Sequence, residues 1–389
     1  MFLKTFIFIV TSLFLPPTLW GQSNLILLNS RSLPVATKAL ILEGKVVGYW
    51  GKDQVVLQNN RVRISKDEQV ISVLPFSNGT DTNLLVITTE NGSIPGKVNV
   101  LYRSLDPSGS VIARWSQTQS NDAGLPEIHL FADNFLFLHP EVQTVEIFSL
   151  AGEKIHRHTL FPHSRWNHER KLIYLPNNKG KPTLIGMASV NLAEPQNVRL
   201  LQIDSPYQIQ LKTKVPLTIP YLAERSAKGR LLIVGTQSSG NPEEQLPYLL
   251  VYDSQYQPLL EPYRLPEMPY FAHWWQDEVL LVFPNYSLLL DPNSSAEKKT
   301  ISSHISTFPL FTTVIGNRCY LFASNKIQYQ SQGLRYQGLQ CQIIDLQTAT
   351  SQMQVLTPET YTRVFFFPSG EEQTLGIQLD EQVYFYDLK

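Results

Sequence analysis

Apolar and aromatic residues recur along this chain in short runs that alternate with polar positions, and almost nowhere at the helical spacing of i, i+3, i+4. Strand-like runs such as VNVLYRS, VEIFS, VRLLQI, YLLVY, YSLLL, CQII and VYFY each close on a turn residue: Asp106, Ser149, Asp204, Asp253, Asp291, Asp345 and Asp387. Successive turn residues lie 38 to 55 positions apart. A repeat of roughly 40 to 50 residues, each with several short strands, is the spacing of a β-propeller whose blades are four-stranded antiparallel sheets. After the first six turns one further strand follows, and after Asp387 none does. Asp and Ser suit that place because their side chains accept hydrogen bonds from the backbone two residues on.

The strand pattern divides residues 69–118, 125–161, 164–215, 217–265, 267–304 and 306–357 into blades, and leaves three strands in 360–389. Residues 22–68 hold KALILEG, QVVLQ and NRVRISK without an Asp turn of their own. The expected fold is therefore all-β, a single propeller of seven four-stranded blades in which NRVRISK supplies the missing strand and removes the open edge at the seam. Six blades, or eight if residues 35–68 form a blade of their own, are the alternatives. A second marker recurs in phase: Pro126, Pro220, Pro269 and Pro309 stand where innermost strands are expected to begin, a position that does not require an N–H in the ladder.

One turn, Leu105-Asp-Pro-Ser-Gly109 with Trp115 after it, resembles the Asp-turn-Gly…Trp pattern of quinoprotein-like propellers. None of the other turns combines the Gly with the Trp, and the GH and WD dipeptides of WD40 repeats are absent, so the resemblance reaches the propeller superfamily and no particular family within it. It implies the fold and does not imply a quinone cofactor.

Residues 1–21 read as a secretory signal: Lys4 in a short basic start, an apolar core over Phe6–Leu15, and a cleavage point after Gly21. That core is shorter than the roughly 20 residues of a membrane span, so no span is expected in the mature chain, residues 22–389. The expected location is periplasmic or extracellular. In size and export the chain resembles the propeller scaffold of outer-membrane assembly, a family anchored through an N-terminal Cys that has no counterpart near this leader. A net charge of −1, with 17% charged residues and no basic block, argues against nucleic acid and against an anionic membrane surface. The expected partner is a protein or an envelope component, and the expected state a monomer.

Long connections collect on one face of the expected ring: 88–97, 188–197, 235–247 and 323–338 between strands, and 117–126 and 162–170 between blades. Binding residues are usually carried on such loops. Arg165 and Trp166, with Tyr361 and Arg363, offer guanidinium and aromatic groups suited to a carboxylate, sugar or peptide, against the plainer use of Arg as surface charge and Trp as packing. Trp274, in Tyr270-Phe-Ala-His-Trp-Trp275, either lines the channel or packs between blades. His156 and His158 share one face of a strand and His163 and His168 follow in the next loop, a candidate zinc or copper site whose plain alternative is a solvated strand face. No cofactor is expected apart from that metal. Cys319 and Cys341 fall on neighbouring strands of an exported chain, where a cross-strand disulfide competes with two buried thiols. No catalytic motif is present. The leading functional reading is a non-catalytic binding scaffold, and the rival is a hydrolase or lyase acting on a sugar or lactone at the channel mouth.

Overall fold

The structure, a computed structural model, describes residues 25–388 except 43–44, 59, 79–80, 92–95, 121–125, 132, 140–143, 161–171, 177–181, 188–195, 205–206, 240, 242–243, 295, 306, 332 and 370–372. Its strands form eight four-stranded antiparallel sheets. Blade 1 spans residues 38–62, blade 2 69–120, blade 3 127–159, blade 4 172–215, blade 5 219–264, blade 6 271–302 and blade 7 309–361. Blade 8 takes Val364–Ser369, Thr374–Leu379 and Gln382–Asp387 from one end of the chain and Ile26–Ser32 from the other.

Two expectations are corrected. The ring has eight blades, because residues 38–62 form a complete one of short strands: Lys38–Leu42, Lys45–Gly51, Gln54–Leu57 and Asn60–Val62. The closing strand is Ile26–Ser32, whereas NRVRISK contributes the outer strand of blade 1. Blade 1 turns into its outer strand at Gln58, with φ 48°, and so carries no Asp signal. Gly48, which reads as a breaker, sits inside a strand because the neighbouring backbone crowds it: a Cβ there would lie 2.0 Å from the Val56 carbonyl oxygen.

Eight hydrophobic clusters among the described residues, one between each pair of neighbouring blades, make up the core. Middle strands are buried on both faces, which explains their unbroken apolar runs. In Glu278–Val282 of blade 6, Val279 and Leu281 enter the core shared with blade 5, while Leu280 and Val282 enter the core shared with blade 7. The seam between blades 8 and 1 has the smallest buried cluster: Leu33, Ala39, Val383 and Phe385. There Gln378, fully buried, accepts the Ala39 N–H at 2.8 Å and donates to the carbonyls of Thr37 and Asp380 at 2.7 Å each. Gln354 of blade 7 binds both main-chain groups of Leu25, at 2.8 and 3.0 Å, as the chain enters the closing strand.

The Asp turns form as their chemistry dictates. Asp106 Oδ1 accepts the N–H groups of Ser108 and Ser110 at 2.9 Å, and Asp253 Oδ1 those of Gln255 and Gln257 at 2.8 and 2.9 Å. Three residues after the turn residue the backbone is left-handed, at Gly109, Gly152, Tyr207 and Tyr256. That position carries a staple to the preceding blade. Trp115 of blade 2 lies over Gly152 of blade 3, where an added Cβ would fall 2.4 Å from the indole. At the next two interfaces the ring comes from the other side. Tyr207 accepts a hydrogen bond from Asn134 of blade 3 at 2.8 Å, and the Tyr256 hydroxyl sits 2.9 Å from Thr183 Oγ1 and 3.3 Å from Gln202 of blade 4.

The disulfide expectation is also corrected: Cys319 and Cys341 are free and fully buried. Their strands are neighbours, but Cys319 stands opposite Ile344 and Cys341 opposite Phe322, three positions away. An odd offset puts the two thiols on opposite faces of blade 7, Cys319 in the core shared with blade 6 and Cys341 in the core shared with blade 8.

Two outcomes follow. Gln378→Leu strands the Ala39 N–H and two carbonyls at the seam and is expected to lower stability by about 1–3 kcal/mol, read as an earlier midpoint in urea unfolding. Gly152→Ala is expected to cost a similar 1–3 kcal/mol, and pairing it with Trp115→Ala should recover part of that loss, because the clash and the missing ring belong to one contact.

Candidate functional site

Strands of blade 7 run past the ring. Its first strand, Pro309–Ile315, pairs with the second only as far as Pro309 opposite Ala323, whereas the second and third strands, Arg318–Gln330 and Gly333–Asp345, continue together to Gln330 opposite Gly333. The stretch expected as the long connection 323–338 is thus a projecting hairpin. Its base is fixed: the Ser324 hydroxyl lies 2.9 Å from the carbonyls of both Gln337 and Gly338, and Tyr336 stacks on Tyr361 at 5.3 Å. Tyr361, an expected ligand contact, is buried beneath this hairpin, and burial pushes its phenol up to about 12.

Arg363 stands on the same face, at the short turn of blade 8. Its guanidinium donates to Glu381 at 2.8 Å and lies 3.7 Å from Asp380, while its own N–H and that of Thr362 are held by the Asp380 carboxylate. Trp274 and Trp275 are both buried, and each indole ties its blade to a neighbour, Trp274 donating to Glu224 O at 3.2 Å and Trp275 to Gly316 O at 3.0 Å. Arg165, Trp166, His163 and His168 lie outside the described residues. His156 and His158 sit side by side on the outer strand of blade 3 with nearly parallel rings 6.3 Å apart, and burial together with the neighbouring His156 lowers the His158 pKa. Among the described residues no three His, Cys, Asp or Glu side chains gather as a metal site would require.

Groups absent from the sequence-derived set line the innermost strands. His273 Nδ1 is 2.7 Å from Glu224 Oε2 of the preceding blade, with its Nε2 buried and without a protein partner. His129 lies 2.9 Å from Glu127 and stacks on Tyr174 of the next blade at 4.0 Å. In sequence these are scattered carboxylates and imidazoles, and the blade-to-blade contact alone joins Glu224 to His273. A further carboxylate, Glu146, is held between blades 2 and 3 by Gln117 and Lys154 at 2.8 Å, with His139 at 3.4 Å and Arg157 at 3.6 Å. Burial raises its pKa, but the adjacent His139 and the hydrogen bonds from Lys154 and Gln117 outweigh that and bring it down to about 2.

No protein-family model matches the chain, and no curated protein matches it in sequence. Among solved structures it is similar to BamB from Moraxella catarrhalis, at 11% identity and a TM-score of 0.54, over 94% of this chain and 100% of that one. It is also similar to the WD40 domain of SCAP from fission yeast, at 9% identity and a TM-score of 0.50, over 92% and 98% of the two chains. At such identities the likeness is one of fold, the β-propeller.

Because the folded-state pKa of Glu146 is depressed, its contribution to stability is complete above the ordinary carboxylate value of 4.5 and drains away as pH falls toward about 2. Glu146→Gln is therefore expected to flatten the acid limb of a plot of melting midpoint against pH over that window. An unchanged slope would assign the acid sensitivity to other carboxylates.

Proposed function

We propose that the protein is an exported, non-catalytic propeller that holds another protein or an envelope component on the face from which the blade 7 hairpin projects. The observation that carries this reading is the hairpin itself. Strands that leave a closed ring add nothing to the inter-blade cores, yet this one is pinned at its base and presents Tyr329 with 84% of its surface exposed. Exposed aromatics on a rigid element are the usual material of a protein contact. The expected leader peptide supports export.

A second reading, a hydrolase or lyase working on a sugar or lactone at the channel, is favoured by the Glu224–His273 pair, which leaves one imidazole nitrogen free. Thermal melting of the mature chain separates the two. A ligand at about 100 times its dissociation constant adds about 2.7 kcal/mol, so a sugar, lactone or metal that belongs to the site raises the midpoint measurably. For a scaffold the midpoint is expected to stay put across chelator, metals and that panel. A photo-crosslinker at Tyr329 is then expected to capture one defined envelope partner, and one at Asn317, on the opposite face, to capture none. A ligand-dependent midpoint lost in His273→Ala would move the assignment to the enzyme.

A further inference from the structure

Resting on that reading, we infer that the hairpin receives its partner by strand addition, taking an extended segment of alternating apolar and acidic residues along the free edge Lys326–Gln330. Three features lead there. Among the described residues, the second strand of blade 7 pairs on one side only beyond Asn325: the innermost strand stops at Pro309, the Thr307 hydroxyl before it donates to the Ser324 carbonyl at 2.6 Å, and the third strand occupies the other flank. The outer strand, Thr350–Tyr361, covers the third as far as Tyr336 opposite Tyr361 and leaves the second strand's free edge untouched. Exposed edges of this kind pair readily with another strand, and the main-chain bonds supply affinity while alternate side chains supply selectivity.

The side chains beside that edge are sorted. Ile327 stands opposite Tyr336 and Tyr329 opposite Leu334, so these four share one face of the hairpin. Lys326, Gln328 and Gln330 take the other face, with Arg335 and Gln337 opposite Gln328 and Lys326. No acidic residue occurs between Ser324 and Ile344, and neither Lys326 nor Arg335 is in an ion pair among the described residues. A strand laid on this edge meets an aromatic and aliphatic surface with every second residue and a positively charged one with the residues between. That pattern fits Val or Leu alternating with Glu or Asp. The pinned base means little ordering is left to do on binding.

The test uses the full mature protein and a fluorescent peptide of alternating Val and Glu, with anisotropy as the readout. The alternating peptide is expected to bind about tenfold or more tightly than one of the same composition in scrambled order. N-methylation of alternate amides is expected to abolish binding when it falls on one edge of the peptide and to leave it unchanged on the other. Tyr329→Ser removes an exposed ring and Lys326→Glu opposes the acidic side chains. Each is expected to weaken binding several-fold while the melting midpoint of the protein stays the same. Equal binding of the scrambled peptide, indifference to N-methylation of either edge, or preferential association with phosphatidylglycerol vesicles would each overturn the inference. The underlying reading is tested apart from it. If the envelope partner is still captured by a crosslinker at Gln328 after Tyr329→Ser and Lys326→Glu, strand addition is wrong and the scaffold stands.

Discussion

The antiparallel pairing of Ile26–Ser32 with Gln382–Asp387 is the bond on which the rest of the ring depends. A blade in mid-ring buries both faces against neighbours already joined to it by short connections. Blade 8 becomes a blade only when strands some 350 residues apart in sequence meet. The entropy of closing so long a loop grows only slowly with its length, so the cost is tolerable, but it is recovered late, after the other blades exist to hold the ends near each other. The seam shows the consequence in its composition. Its buried apolar cluster is small, and amide hydrogen bonds from Gln378 supplement it, while Gln354 of blade 7 holds the chain at Leu25 as it enters the closing strand. An amide with both of its groups engaged across the seam fixes position where few apolar residues do, because a misaligned seam leaves those groups buried and unpaired.

How much of this was legible in the sequence depended on whether a feature is local. The Asp turns are local, since a carboxylate and the two N–H groups it accepts lie within five residues, and five of the six blades expected from the turns were bounded to within four positions. Blade 1 lacks that turn and carries Gly48 inside a strand because the adjoining strand crowds it, so its strand candidates read as too few for a complete blade. NRVRISK, the expected closing strand, alternates cleanly between apolar and polar residues. The true one is irregular between Leu27 and Asn29, and a bulge of that kind erases the period by which a strand is recognised. The staple position shows the same limit from another side. Tyr207 and Tyr256 occupy a left-handed site that favours glycine, and they do so because their rings supply the contact that Trp115 makes from the other partner at Gly152.

Candidate chemistry was the least legible part, since a side chain's role in a propeller is decided by the adjacent blade. Trp274 and Tyr361 are the kind of residues that line binding sites, and both serve the core instead. Arg363 is the right group for an anion and already has its anions in Asp380 and Glu381. Conversely, nothing within a few residues of Glu224 announces His273, yet the two side chains meet at hydrogen-bond distance. The hairpin lay between these cases. Its length marked the segment as unusual, and the alternation in Lys326-Ile-Gln-Tyr-Gln330 and Leu334-Arg-Tyr-Gln337 was there to be read, but a long connection invites the name of loop.

A closed ring also settles where such a segment can be placed. Each blade meets two neighbours through its middle strands, and a strand there is answerable to two cores at once, with Leu280 and Leu281, on successive positions, each entering one of them. Outer strands escape one of those constraints and are polar, as in Lys154–Thr159 and Gln208–Val215, which blunts edges that would otherwise recruit other chains. The extension of blade 7 escapes both. Its stability comes from its own pairing and from the contacts of Ser324 and Tyr336 at its base, so substitutions farther out are felt by neither inter-blade core. A projecting hairpin on a rigid ring can therefore change its surface freely while its position stays fixed, the combination that recognition requires.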